Sequence, residues 1–63
     1  MTEVYELLKH YAAQGTERMK LIFISNKTGI RYFDVIHNLE ALAIEGKIVF
    51  YFDREYLNWK ILN

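Results

Sequence analysis

The chain contains no cysteine and no proline, only three glycines, and no apolar run of membrane-spanning length. Without cysteine, neither disulfides nor thiolate metal sites are available to staple a small fold. The apolar runs are too short for a transmembrane helix. Thr2, Glu3 and Glu6 stand where a signal peptide would carry a basic segment and an apolar stretch, so an intracellular, cytoplasmic chain is expected. The sequon Asn26-Lys27-Thr28 is then incidental. Charge of one sign is also lacking: eight Lys and Arg balance eight Asp and Glu, which is no overall nucleic-acid signature.

Sixty-three residues make a single domain, residues 1–63, near the lower limit for independent folding. Composition offsets the shortage, with 52% apolar and 16% aromatic residues. Aromatics bury large areas, so a compact core is attainable, and any surplus is left for a partner. The neutral total also hides a segmented distribution. Between Glu17 and Asp34 the only charges are Arg18, Lys20, Lys27 and Arg31, whereas Asp34, Glu40 and Glu45 come after them.

Apolar spacing orders the elements. Val4, Leu7, Leu8, Tyr11 and Ala12 form one stripe of a helix over about 2–14, capped by Thr2 and ended by Gly15. On its wet face Glu6 is placed to pair with Lys9 or His10. Thr16 is a candidate cap for the second element. Met19 to Ile24 is ambiguous on periodicity alone; we read a brief extended segment near Arg18 to Lys20, then a helix over about 21–28 ended by Gly29. A third helix spans about 31–45, with Val35, Leu39, Leu42 and Ala43 inward and Tyr32 at the edge, and Gly46 breaks it.

After Gly46 the period changes to two. Ile48, Phe50 and Phe52, then Leu57, Trp59 and Ile61, predict a hairpin within 47–62 around Asp53-Arg54-Glu55-Tyr56. Setting Phe52 opposite Leu57 pairs Phe50 with Trp59 and Ile48 with Ile61, and brings the large apolar groups to one face. Phe50 and Trp59 are therefore expected in the core, with Tyr51 and Tyr56 outward as candidates for base stacking. The expected fold is α+β, three helices followed by a two-stranded antiparallel hairpin.

Ser25, Gly29, Ile30, Val35, Leu39, Leu42 and Gly46, with the hairpin after them, resemble a winged helix-turn-helix DNA-binding domain. The resemblance covers nearly the whole chain and implies a small regulator that binds double-stranded DNA. It places Arg31, Tyr32, Phe33, Ile36, His37 and Glu40 outward on the recognition helix. It also implies Lys27 and Thr28 on phosphate and Arg54 at the wing tip. The end of the chain is also similar to Z-DNA-binding winged helices. Ile36 and Glu40 occupy the places where those domains use asparagine and tyrosine, and their wing prolines are missing here, so that reading is rejected.

The third helix departs from the usual pattern. Phe33, Ile36 and Ile44 are apolar, and Asp34 and Glu40 would approach a polyanion. This stripe reads equally as a docking surface for a protein partner, with Phe33, Ile36 and Ile44 rimmed by Glu40 and Asp34, or as partly core. Ile44 is the member expected to be core. A homodimer is expected through the flank of helix 1 at Tyr5 or through the Phe33/Ile36 stripe. The second choice excludes DNA reading by the same helix. The basic segment, assigned to helix 2 and the turn, is read as a phosphate-contacting edge or as ordinary solvated surface.

No metal site is expected, because His10 and His37 lie on different helices without ligand spacing. Asp34 and His37 are three apart, yet no nucleophile completes a catalytic set and no phosphate-cradling loop is present. Neither an enzyme nor a cofactor is anticipated.

Overall fold

A computed structural model describes residues 3–62 of the chain. The order is α1 (Glu3–Ala13), β1 (Arg18–Lys20), α2 (Leu21–Thr28), α3 (Tyr32–Ile44), β2 (Ile48–Asp53) and β3 (Tyr56–Ile61). It is a small α+β domain with three helices and a three-stranded antiparallel sheet in the order β1-β3-β2. Element positions agree with the sequence reading to within a residue or two; Thr2, the expected cap of α1, lies outside the described residues.

The third strand corrects the expected two-stranded hairpin. Arg18–Lys20 is extended, as its sequence suggested, but it also pairs with β3, Arg18 opposite Asn58 and Lys20 opposite Tyr56. Bonds from Leu21 N–H to the Glu55 carbonyl (3.0 Å) and from Trp59 N–H to the Glu17 carbonyl (3.1 Å) bracket the ladder. β1 is too short to show a period of its own, so only the pairing reveals it. Thr16 does not cap α2: the residue at the cap position is Lys20, with no side-chain bond. Thr16 instead donates its N–H to the Tyr11 carbonyl at 2.9 Å, closing the end of α1.

The β2–β3 register agrees with the one derived from alternation: Ile48↔Ile61, Phe50↔Trp59 and Phe52↔Leu57. Opposed residues in an antiparallel pair alternate between bonded and non-bonded. Glu17–Trp59 and Leu21–Glu55 bonds turn the odd residues of β3 towards β1, so its even residues face β2. The Leu62 N–H to Lys47 carbonyl bond (2.8 Å) agrees. Lys47, Val49, Tyr51 and Asp53 thus present their backbone groups to β3. Those of Ile48, Phe50 and Phe52 face the open edge.

Helices cover one face of the sheet. Val4 and Leu8 from α1, Leu21 and Ile24 from α2, Val35, Leu39 and Leu42 from α3, and Ile48, Leu57 and Trp59 from the sheet are buried together. The Trp59 Nε1–H satisfies itself on the Leu8 carbonyl at 3.2 Å. Phe50 packs against this core half-buried, and Phe52, which points the same way, lies at the far end of the hairpin and remains 43% exposed. Not all the large apolar groups of the hairpin are therefore covered.

Candidate nucleic-acid interface

The corner between α2 and α3 is built by a few short-range bonds. Gly29 adopts φ +72°, the left-handed region that an L side chain resists, and donates its N–H to the Ser25 carbonyl at 2.9 Å. Ser25 Oγ–H then donates to the Ile30 carbonyl at 2.6 Å. Thr28 Oγ1–H donates to the Ile24 carbonyl at 2.8 Å and accepts the Ile30 N–H at 3.2 Å. Both hydroxyls are thus engaged in holding the turn. Thr28, which the resemblance placed on phosphate, acts here as a strut.

Lys27 lies in the last turn of α2, exposed, its ammonium 5.5 Å from the Phe23 ring centre. Arg31 precedes α3, also exposed, and no side chain caps the first-turn N–H groups of that helix. Such groups carry partial positive charge and accept anions. Arg54 sits exposed at the hairpin tip with φ +58°.

The outward face of α3 is mixed. Phe33 is 73% exposed and Tyr32, edge-on to it at 5.9 Å between ring centres, lies beside it; His37 and Glu40 are exposed. Ile36 is not fully outward, because it packs half-buried against the core. Ile44 is not core: it is 86% exposed. Two residues after buried Leu42, it is turned by about 200° around the helix. Asp34 is exposed and its carbonyl accepts from Asn38 Nδ2 at 2.7 Å, while no ion pair joins its carboxylate to His37 among the described residues.

Two expectations about the basic segment change. Arg18 and Lys20 stand on β1, not on α2, and both are matched by acids at the turn of the hairpin. Arg18 pairs with Asp53 at 3.3 Å and stacks over the Tyr56 ring at 4.3 Å. Lys20 pairs with Glu55 at 3.1 Å; that hydrogen bond, then the charge of Glu55, raises its pKa above 10.5. Tyr5, an alternative interface residue, is half-buried against the core, with Lys9 4.5 Å and Lys47 5.3 Å from its ring centre.

The outer face of the sheet holds a cavity of about 380 Å³ lined by Val49, Tyr51, Asn58 and the Lys60–Glu17 pair, among others. Tyr51 faces outward as expected, whereas Tyr56 is half-buried beneath Arg18. No cluster of His, Asp or Glu able to hold a metal ion is present among the described residues. No helix among the described residues is long and apolar enough to cross a membrane. Comparison with family models, with curated proteins and with solved structures finds no match.

Proposed function

We propose that the chain is a winged helix-turn-helix protein that binds double-stranded DNA, acting as a small transcriptional regulator. In this reading α3 enters the major groove, the α2–α3 turn contacts phosphate, and the β2–β3 hairpin is the wing. One observation supports it above the others. Of eight Lys and Arg, five have an acidic partner: Lys9, Arg18, Lys20, Lys47 and Lys60. Lys27, Arg31 and Arg54 have none among the described residues, and these are the cations that the reading needs for phosphate. Tyr32, Phe33 and His37 would face bases, the apolar ring suiting thymine methyl groups.

Fluorescence anisotropy with mixed-sequence duplex at several salt concentrations tests this. Affinity should fall steeply with salt, and Lys27→Ala and Arg31→Ala should each reduce the slope by about 1. No binding at low salt, or a slope indifferent to both substitutions, overturns it.

A second reading rests on the exposure of Phe33 and Ile44, rimmed by Asp34 and Glu40: α3 docks a protein partner instead. Under it, Phe33→Asp abolishes partner binding with circular dichroism unchanged, and duplex binding is absent.

A further inference from the structure

β2 is an edge strand six residues long, bonded to β3 on one side only. Natural edges are blunted by proline, by lysine within the strand, or by brevity. β1, the other edge, is three residues long, and two of the three, Arg18 and Lys20, are charged. β2 is not short and has no proline or lysine: Ile48-Val49-Phe50-Tyr51-Phe52 is uncharged, and the single charge of the strand, Asp53, stands at its last position. Its outward side chains Val49 and Tyr51 are 51% and 65% exposed.

We infer that β2 pairs antiparallel with β2 of a second copy of this chain, centred on Phe50, to form one continuous sheet. The backbone selects the register. Only Ile48, Phe50 and Phe52 turn their N–H and C=O groups to the open edge, so only these can exchange bonds across a two-fold axis. Centring on Phe50 uses all three, Phe50 opposite its own copy and Ile48 opposite the partner's Phe52. Centring on Val49 or Tyr51 makes the central pair a non-bonded one and engages only two of the three edge-facing residues, leaving Phe52 or Ile48 without a partner in the strand. Centring on Ile48 or Phe52 would leave part of the strand unused.

The side chains fit the register the backbone selects. On the outer face Val49 meets the partner's Tyr51, covering two of the most exposed apolar groups of the sheet. On the inner face half-exposed Phe52 gains a neighbour in Ile48. At each end Lys47 falls opposite the partner's Asp53, so opposite charges meet twice. Both residues are engaged now in exposed ion pairs, with Glu45 at 3.5 Å and Arg18 at 3.3 Å, which exchange easily, Lys47 lying also 5.3 Å from the Tyr5 ring centre. The pairing does not depend on DNA binding, since it uses neither Lys27 nor Arg31 nor the outer stripe of α3.

Sedimentation equilibrium tests the inference. The wild-type chain should show twice its 7.6 kDa mass. Lys47→Glu opposes two like-charged pairs in its own dimer, and so does Asp53→Lys. Each should weaken self-association by about tenfold. An equimolar mixture of the two variants makes both end pairs complementary again and should restore the doubled mass. A synthetic chain with N-methylated Phe50 loses an edge donor but no bond to β3; it should be monomeric with unchanged circular dichroism. A monomeric wild type, a dimer indifferent to both charge reversals, or a mixture that associates no better than its components overturns the proposal.

Discussion

Four consecutive charges of the sequence, Arg18, Lys20, Lys27 and Arg31, end in two different electrostatic situations. At the β1–β3 side, Arg18 and Lys20 meet Asp53 and Glu55, carboxylates more than thirty residues away. At the α2–α3 corner, Lys27 in the last turn of α2 and Arg31 at the uncapped start of α3 have no acidic partner among the described residues. A cation already holding a carboxylate must give it up before it neutralises a phosphate, whereas a free one need not. Charge that looks uniform along a chain can thus differ entirely in availability once strands pair.

The largest perturbation removes both regions together. Leu39 is fully buried between the helices and the sheet, so Leu39→Ala should cost about 2–5 kcal/mol in urea denaturation. The sharpest test separates them. The double change Lys27→Ala/Arg31→Ala should lower the salt slope of duplex binding by about 2, and Arg18→Ala/Lys20→Ala should leave it unchanged. Equal losses would show that the two regions do not differ.

A smaller effect is expected at the corner itself. A Cβ on Gly29 meets no atom within 4 Å, so Gly29→Ala is penalised only through its φ of +72°. Its cost should be about 1–2 kcal/mol, and D-alanine at that position should show none of it. The smallest effect lies at Lys20. Its folded pKa is raised, so its pairing contributes fully below pH 10.5 and is lost as pH rises through the higher folded value. Lys20→Gln should flatten that alkaline decline in stability, as followed by circular dichroism.

Local pattern makes most of the architecture legible. The helices announce themselves by period and by glycines at 15, 29 and 46, all with positive φ. The hairpin register is legible because one slip would turn Ile48, Leu57 and Trp59 to the wrong face. What escapes is non-local. Three residues cannot display a pairing partner forty positions away, so the β1–β3 ladder and the neutralisation of Arg18 and Lys20 are hidden. Ile44 misleads for another reason: its hydrophobicity suggests core, but its angle around the helix decides. The roles of the Ser25 and Thr28 hydroxyls as turn struts become visible only with the bonds themselves.

The bond from the Trp59 indole to the Leu8 carbonyl spans 51 residues. It ties the first helix to the last strand, so the order of synthesis bears on assembly. The helices can form as they are made, but this closure waits for nearly the whole domain, and closing so long a span carries an entropic cost that local contacts do not. Until then Leu8 lacks its indole neighbour and the core stands open on one side. The sole tryptophan is therefore a natural clock for the final step: its fluorescence reports the moment at which helices already formed become a domain.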